Sequence, residues 1–344
     1  MWGYFMGKIP VKYDFVADDL RKRILCGEFV SELPGVKKLA LEYHVNFMTV
    51  DKALNCLEKE NLVYRLPRKG TFVRCRRNIL LAICDRDEKL LENPFYAPLI
   101  TGIQQRLLEE NCFMISCNLY GMSQKQRDNL LRRVDGTLAI HTDTVKLCSA
   151  CGKPVIRLLG EDEQETSVDH FTYSSLKVGH LAAEFLINSG AKKPGYAGFN
   201  DSGVFSRRRD GFIARCAQCD IRAEDFSCPM DSGSDQTSQL AVQIEKLLSA
   251  GCDGVFASSD SSAINISTAF ALKGVKIPVI GCNNSPLRRC LAPECVPATI
   301  SLKTRDIGCQ AAHRLLRRID GEDFAPEKFI FEPEILNSNN LSKE

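Results

Sequence analysis

Residues 1–77, called the head below, carry an apolar pattern that predicts three short helices followed by two strands. Apolar positions recur at helical spacing over residues 15–24, 36–43 and 50–57. Alternation over residues 62–66 and 71–74 predicts two strands, which a basic, glycine-containing turn joins as a hairpin. Three helices and a basic hairpin are the layout of a winged helix-turn-helix, whose third helix can enter a DNA major groove.

From residue 78 onward, in the part called the body below, short apolar segments alternate with helical segments. Such strands are typical of parallel sheets covered by helices on both faces. The roughly 265 residues of the body exceed one comfortable core, so we expect two lobes and an α/β fold. The pattern predicts strands near 79–84, 112–117, 138–140, 154–159, 195–199, 254–257, 278–282 and 298–301, and helices near 99–108, 130–131, 174–189, 206–218, 236–249, 261–273 and 304–319.

Charge divides the chain in the same way. The head contains 15 Lys and Arg against 9 Asp and Glu, whereas the body contains 30 against 34. A basic head on a mildly acidic body suggests that the head meets a polyanion, although chance patchiness of surface charge would give a similar count.

Composition and motifs argue against several other classes. Hydrophobic residues make up 44% of the 344, yet no stretch approaches the roughly 18 apolar residues of a membrane span, and the start lacks a secretory signal. We therefore expect a cytoplasmic protein without membrane association. The sequence has no phosphate-binding glycine loop, nucleophile elbow or catalytic triad, so we expect no enzymatic activity and no cofactor.

The 16 cysteines include two C-x-x-C pairs, Cys148/Cys151 and Cys216/Cys219. A zinc ribbon needs its second pair about 15–20 residues after the first. Here 64 residues intervene, and no histidine stands beside either pair. We expect both pairs to be structural and the chain to hold no metal.

The head resembles the GntR-type winged helix over about residues 11–74. The resemblance rests on blocks that occur in order: 16–24, Leu33-Pro34, Leu39-Ala40, Thr49-Val50, Ala53-Leu54, Leu62-Val63 and 69–73. It implies that the start of the third helix faces base edges while the wing neutralises phosphates. The residues expected to contact DNA are Lys37, Lys38, Asn46, Phe47, Thr49, Lys52, Arg68, Lys69, Gly70 and Thr71.

The third helix departs from the usual family pattern Ser-Arg-x-Thr-Val-Arg. Phe47 and Asp51 stand at two customary arginine positions, so guanine readout there should be lost. Asn46 is a plausible helix N-cap and a candidate adenine reader, Phe47 could contact a thymine methyl, and Thr49 and Lys52 could hold phosphates. Alternatively, Phe47 packs partly in the core and Asp51 is a solvated helix charge.

The body resembles the LacI-type effector domain, a relative of periplasmic sugar-binding proteins, over about residues 78–333. The blocks are 93–96 with Gly102-Ile103, 134–136, Pro154-Val155, Val168-Asp169, Gly179 with Ala182-Ala183, Arg208 with Gly211-Phe212, 278–281, 299–301, and Ile307-Gly308 with Ala311-Ala312. The resemblance implies a periplasmic-binding-protein type I fold, in which two Rossmann-like lobes close over a ligand at the carboxyl ends of strands. Taken whole, the chain resembles the arabinose-repressor-like regulators, in which GntR-type heads are joined to LacI-type bodies.

The same resemblance implies a set of effector-binding residues: Phe95, Tyr96, Asp169, Arg208, Ser259, Asp260 and Asn283. Arg208 stands where the family has an effector-contacting arginine, and its planar fork suits vicinal hydroxyls or a carboxylate. It could instead cap a helix or pair on the surface. Phe95 or Tyr96 could stack on a sugar face or pack in the core.

Three positions depart from the family's ligand-binding pattern. Ser259, His170 and Asn283 stand where the family has Asn, Asn and Asp. Asn283 can still bond a hydroxyl, but it adds no negative charge. We expect a small-molecule effector, with a sugar as the first hypothesis and a purine or another non-sugar as the alternative.

Together, these patterns assign residues 1–77 to a DNA-binding domain with its linker and residues 78–344 to an effector-binding and dimerisation domain. One winged helix buries too little DNA for high specificity, so we expect a homodimer on palindromic double-stranded operator DNA. The predicted function is a ligand-responsive transcription regulator, with repression as the family's habitual output. A solute-binding protein and an enzyme are the rival classes, which the winged helix and the missing catalytic motifs oppose.

Overall fold

The computed structural model describes residues 12–25, 28–29, 31–60, 62–67, 69–74, 77–86, 93–161, 167–200, 203–229, 236–291 and 296–336. Contacts between residues divide the chain into two compact units. One contains the chain up to Arg77 together with Glu110–Phe113, and the other contains Asn78–Glu109 and Met114–Glu344.

The head is a helical core with a two-stranded wing, as its apolar spacing predicts. It contains α1 (Lys12–Leu25), α2 (Val36–Glu42), α3 (Phe47–Lys59) and the antiparallel strands β1 (Val63–Leu66) and β2 (Gly70–Val73). Both α1 and α2 pack on α3. Their shared core includes Val16, Leu20, Leu39, Val50, Leu54 and Leu57. Phe15, in contrast, is 63% exposed because it lies off the buried face of α1.

The first lobe of the body alternates strands and helices. Its elements are β3 (Asn78–Ile83), α4 (Ala97–Glu109), β4 (Phe113–Asn118), α5 (Gln124–Arg132), β5 (Gly136–Ile140), α6 (Thr142–Ser149), β6 (Val155–Leu158) and β7 (His170–Tyr173). The short α6 and β7 were not predicted, since each is too brief to show a clear apolar period.

The second lobe continues the alternation. Its elements are α7 (Ser175–Asn188), β8 (Pro194–Ala197), β9 (Phe199–Asn200), α8 (Val204–Gln218), β10 (Glu224–Asp225), β11 (Cys228–Pro229), α9 (Gln236–Ser249), β12 (Gly254–Ala257), α10 (Asp260–Leu272), β13 (Val279–Cys282), a 3₁₀ helix at Pro286–Cys290, and β14 (Ala298–Ser301). The single strand expected near 195–199 is divided, because β8 ends at Ala197 and β9 pairs separately with β11.

The chain then returns to the first lobe for α11 (Thr304–Ile319) and β15 (Lys328–Phe331), and goes back to the second lobe for β16 (Glu334–Leu336). The first sheet has the order β15-β7-β6-β5-β3-β4, and the second has the order β10-β8-β12-β13-β14-β16. Adjacent strands from β15 to β3 are parallel, as are those from β10 to β14, while β16 is antiparallel to β14. The predicted two-lobed parallel α/β architecture is confirmed, and the lobes are joined by segments after β7, β14 and β15.

Two glycines allow α7 and α8 to pack backbone to backbone. A methyl group at Gly179 would collide with the carbonyl oxygen of Arg208, and one at Gly211 would collide with the carbonyl oxygen of Leu176. Since α8 carries Arg208, this close approach fixes the position of that side chain. The lack of a side chain at Gly179 and at Gly211 therefore allows the two helices to pack closely and also places Arg208 at the cavity.

The cysteines of both C-x-x-C pairs are free thiols. Cys148 and Cys216 are fully buried, and the Cys151 thiol donates to the Cys148 carbonyl at 3.2 Å. Within the described ranges, no three His, Cys, Asp or Glu side chains converge as metal ligands. None of the helices in the described part of the chain has both the length and the apolar character that a bilayer span requires.

Candidate functional site

The first turn of α3 exposes side chains opposite the helix's core face. Phe47 is 56% exposed and Met48 is 72% exposed, whereas Val50 and Leu54 are fully buried. Phe47 therefore does not pack in the core, and its ring is available to a partner. This geometry is the one a recognition helix needs, with its N-terminal residues presented outward.

Asn46 caps α3 as its position predicts. Its side-chain oxygen accepts hydrogen bonds from the backbone N–H and the hydroxyl of Thr49, each at 2.8 Å. A bidentate contact to adenine uses both amide atoms of an asparagine. Such a contact from Asn46 would have to replace the cap, so capping is its role in the unbound head.

Asp51 is paired with the wing. Arg65 donates from Nη1 to the Asp51 carboxylate at 2.9 Å and from Nη2 to the Asp51 carbonyl at 3.2 Å. The pair holds α3 against β1 and neutralises part of the wing's charge. Arg65 belongs to the wing, which is expected to neutralise phosphates, but in the unbound head its charge is already engaged by Asp51.

The other predicted DNA contacts fall into three groups. Lys37, Lys38, Lys52 and Lys69 are exposed, as phosphate-binding cations must be. Gly70 has a φ of +134°, a backbone conformation that side chains rarely adopt, at the tip of the wing. Thr71 is only 9% exposed in β2, so its side chain faces inward, and Arg68 lies outside the described residues.

The body contains a cavity of about 630 Å³ that both lobes line, a volume suited to a small molecule. The first lobe contributes residues at the carboxyl ends of its strands: Asp85 after β3, His141 after β5, Leu159 and Gly160 after β6, and Tyr173 on β7. The second lobe contributes Phe199, Ser259 and Asn283 from equivalent positions. This is the edge where parallel sheets bind ligands.

Residues with positive φ angles also occur at the carboxyl ends of these strands. His141, Leu159 and Asn283 have φ angles of +67°, +58° and +108°. Such angles are costly for residues with side chains, and they concentrate at binding sites. Each of these residues directly follows a strand, so the strained backbone turns its side chain toward the cavity.

Arg208 is the buried cation of the cavity. It is 2% exposed and donates from Nη1 to the Ser258 carbonyl at 2.6 Å. Its Nη2 donates to the Tyr173 hydroxyl at 3.3 Å and to the Asn283 side-chain oxygen at 3.4 Å. The structure therefore brings Arg208 and Asn283 together and excludes the surface-pairing alternative for Arg208.

Aromatic rings and polar groups share the remaining wall. Phe95 and Tyr96 line the cavity and meet edge to face, with ring centroids 4.9 Å apart. Tyr96 is 5% exposed, so it packs in the interior while contributing to the wall. Other lining residues, which the sequence did not single out, are Asn93, Phe199, Val204, Phe205, Leu240, Gln243, Ser261, Ser262 and Asn265.

Two predicted effector residues are not among those lining the cavity. The fully buried Asp169 carboxylate accepts hydrogen bonds from Arg314 at 3.0 Å, Arg318 at 2.6 Å and the Glu327 backbone at 2.9 Å. Burial alone would raise the pKa of this carboxyl, but these hydrogen bonds outweigh burial and hold it below the ordinary value. Asp169 thus joins α11 to the edge of the first sheet.

Asp260 is the second of these residues. Its carboxylate accepts from the Thr299 hydroxyl and from the Ser285 backbone N–H, each at 2.6 Å. Burial raises the pKa of this carboxyl above its usual value. Asp260 therefore ties the start of α10 to β14 from behind the cavity wall.

Histidines near the cavity are uncharged at neutral pH. Burial lowers the pKa of His170 to about 4, with the nearby Arg157 charge acting in the same direction. The His170 ring lies 2.9 Å from the Leu159 carbonyl. Burial likewise lowers the pKa of His141. Neither side chain therefore supplies a positive charge to a ligand.

The fold and the cavity define a winged-helix head joined to a periplasmic-binding-protein-like body. Residues 12–73 match the family model "Bacterial regulatory proteins, gntR family". Residues 183–336 match the model "Periplasmic binding protein-like domain". The chain thus joins a segment similar to the helix-turn-helix of the gntR regulators to a segment similar to periplasmic-binding-protein-like domains.

Curated relatives are similar over most of their length. The HTH-type transcriptional repressor PurR of Actinobacillus pleuropneumoniae serotype 5b (strain L20) is 26% identical over 277 residues, which cover 73% of this chain and 80% of the relative. The PurR of Vibrio campbellii is 24% identical over 334 residues, which cover 91% of this chain and 98% of the relative.

Solved structures share the fold. A LacI family transcriptional regulator from Enterococcus faecium with bound ribose is 21% identical, with a TM-score of 0.62, over 76% of this chain and 97% of that one. The complex of the transcriptional regulator CelR with cellobiose is 18% identical, with a TM-score of 0.61, over 89% of this chain and 99% of that one.

Proposed function

We propose that the chain is a ligand-responsive transcriptional repressor, in which the head (residues 1–77) binds operator DNA and the body (residues 78–344) binds a small effector. The observation that carries this proposal is the cavity, lined from both lobes, in a chain whose head presents an exposed recognition helix. Its place of action would be the cytoplasm, where operator DNA is found.

The cavity supports a hydroxylated effector such as a sugar. Its wall contains the hydroxyls of Ser259, Ser261 and Ser262 and the amides of Asn93 and Asn265. A sugar offers many groups to such donors and acceptors. Two solved structures that share this fold contain bound ribose and cellobiose, and they also favour a sugar.

A purine is the second candidate, since aromatic rings also line the cavity. A flat base is best held between two parallel faces. The Phe95–Tyr96 rings are inclined by 78° and the Phe199–Phe205 rings by 61°, so neither pair forms such a sandwich. We place a sugar-like ligand first because of the hydroxyl and amide groups in the wall.

Ligand and DNA binding would be coupled through lobe closure. The effector shifts the equilibrium only by its difference in affinity for the open and closed states. The segments after β7, β14 and β15 would act as the hinges. We propose that a homodimer reads a palindromic operator, because two heads double the DNA surface that one buries.

The first experiment is selection of DNA from a random pool by the full chain, followed by a salt titration of the selected duplex. We expect the logarithm of affinity to fall steeply and linearly with the logarithm of salt concentration. No enrichment of any sequence, or a flat salt response, would contradict DNA binding. Sedimentation equilibrium on the same complex tests the dimer.

The second experiment is a thermal-shift screen of monosaccharides, sugar acids and nucleobases. A ligand at about 100 times its Kd should stabilise the folded chain by about 2.7 kcal/mol. Stabilisation by a nucleobase alone would favour the purine alternative.

A further inference from the structure

Among the described residues, no carboxylate is in direct contact with the guanidinium of Arg208. Its hydrogen-bond acceptors are a carbonyl, a phenol and an amide. Among the described residues its Nε, which is buried, has no hydrogen-bond partner, and no Asp or Glu oxygen forms an ion pair with the guanidinium. The guanidinium also lies 5.6 Å from the centre of the Phe205 ring, a neutral cation–π partner.

The adjacent groups that could carry negative charge are neutral. Burial raises the pKa values of Tyr173 and Cys282 to about 12, so both stay protonated at neutral pH. Asn283 contacts Arg208 at the position where an aspartate would have paired with it. An arginine cannot discharge its own proton in a protein.

Asp260 does not neutralise the positive charge around Arg208. Both its oxygens are engaged by Thr299 and Ser285, and its charge is shared with a second buried cation, Arg288, which is 2% exposed. Arg288 itself donates to the Pro297 carbonyl at 3.0 Å and to the Asn284 side chain at 3.1 Å. Two guanidinium groups and one carboxyl group leave this part of the second lobe with excess positive charge.

The N-terminal end of α10 adds positive electrostatic potential to the same region. Ser259 caps α10 by accepting the Ser262 backbone N–H at 3.2 Å, and Ser259, Ser261 and Ser262 line the cavity beside Arg208. The N-terminal end of a helix carries partial positive charge and favours anions. The opposite lobe presents Asp85, which can accept hydroxyl groups from a ligand.

We propose that the effector is a small hydroxylated carboxylic acid, of the sugar-acid class, whose carboxylate pairs with Arg208 while its hydroxyls face the first lobe. This inference rests on the proposed function, since it names the ligand of the same cavity. A carboxylate would form charge-assisted bonds with the guanidinium fork. Arg208 is the sole Lys or Arg among the described residues lining the cavity, so the cavity offers one guanidinium fork, which suits one carboxylate, and no second cation for the further charge of a phosphate monoester.

The ligand test uses matched probes on the full chain: D-galacturonate against D-galactose, D-gluconate against D-glucose, and glucose 6-phosphate. We expect at least one acid to bind about tenfold or more tightly than its neutral counterpart in calorimetry. Equal or tighter binding of the neutral sugars, or of the phosphate, would overturn the carboxylate assignment. Binding of a neutral sugar would nevertheless leave the proposed sugar-responsive regulator standing.

A substitution tests the charge balance without any ligand. Asn283→Asp places a carboxylate in contact with Arg208, so it should raise the Tm of the unliganded chain and abolish binding of the acid probes. Asn265→Asp adds the same charge to the exposed rim without contacting Arg208, and we expect a smaller change in Tm.

A fall in Tm for Asn283→Asp would show that Arg208 is already compensated and would overturn the proposal, whatever the probes do. If no probe binds the parent chain, a rise in the Tm of Asn283→Asp supports the proposal and a fall overturns it. DNA binding by the variant, measured on the selected duplex, reports separately on the proposed function.

Discussion

The recognition helix of the head and the cavity of the body present their functional side chains in opposite ways. Phe47 and Met48 extend into solvent from a helix whose other face holds the core. Arg208 and Tyr173, in contrast, are buried and hydrogen-bonded to each other. Substitutions on α3 should therefore change DNA binding at nearly constant stability, whereas substitutions around the cavity should change both.

The largest effect is expected at Asp169, a buried carboxylate that serves the fold and not the cavity. Asp169→Asn leaves Arg314 and Arg318 without their shared partner, and loss of one member of a buried ion pair costs about 3–5 kcal/mol. Denaturant unfolding measures this loss. Asp143→Asn is the control, since Asp143 is 88% exposed beside Lys146 and should change stability by less than about 0.5 kcal/mol.

The same carboxyl gives a pH dependence with a defined sign. Because the folded state lowers the pKa of Asp169, its contribution is fully present above the unfolded value of about 3.9 and is lost as pH falls through the folded value. The Asp169→Asn variant should lack this acid-side loss. If the free energy of unfolding of the variant fell at low pH just as it does in the parent chain, the role assigned to Asp169 would be contradicted.

A smaller loss is expected where α8 packs on α7. Gly211→Ala forces a methyl against the Leu176 carbonyl, and overpacking of this kind costs about 1–3 kcal/mol. Effector affinity should fall as well, because the shifted helix carries Arg208. A methyl at Gly35 meets nothing within 4 Å, so Gly35→Ala is the matched control, and equal Tm values for the two variants would refute the close-contact argument.

On the recognition helix, Phe47→Ala should leave the Tm unchanged and weaken binding to the selected operator by about 1 kcal/mol, the burial free energy of a partial apolar contact. Fluorescence anisotropy with operators carrying thymine or uracil at each position locates the methyl contact. A fall in Tm with no loss of DNA affinity would assign Phe47 to the fold instead.

The wing should act on all sequences alike. Lys69→Ala is expected to reduce the salt slope of DNA binding by about 1 without altering sequence preference. A change in preferred sequence at constant slope would mean that Lys69 reads bases.

The smallest effect belongs to the Asp51–Arg65 pair. It is partly exposed, with side chains 53% and 27% accessible, so Asp51→Asn should cost less than about 1 kcal/mol of stability. The variant frees Arg65 and removes a negative charge, and operator affinity should rise. Weaker DNA binding by Asp51→Asn would show that the pair positions the wing for DNA.

The sequence predicted the head well because its signals are local. Val50, Leu54 and Leu57 define one face of α3, and Asn46 marks its first turn, so spacing alone fixed the helix and its exposed side. The inward orientation of Thr71 and the pairing of Arg65 depend on cross-strand and tertiary contacts, which spacing does not encode.

The cavity was predicted only in part. Arg208 and Asn283 were found by resemblance, whereas Asp169 and Asp260 matched the same pattern yet lie outside the lining. Asp85 and His141 were missed, although Asp85 directly follows the predicted strand near 79–84 and His141 directly follows β5. Parallel sheets bind ligands beyond the carboxyl ends of their strands, so the first residue after each predicted strand is a candidate site residue. This rule includes both Asp85 and His141.

The most direct test of the regulator assignment is the affinity of the full chain for its selected operator, measured with and without a saturating probe that binds the cavity. A coupling of about fivefold or more is predicted, and it should disappear in Arg208→Ala, whose head is unchanged. Identical operator affinity with and without a ligand bound at Arg208 would contradict a ligand-responsive regulator.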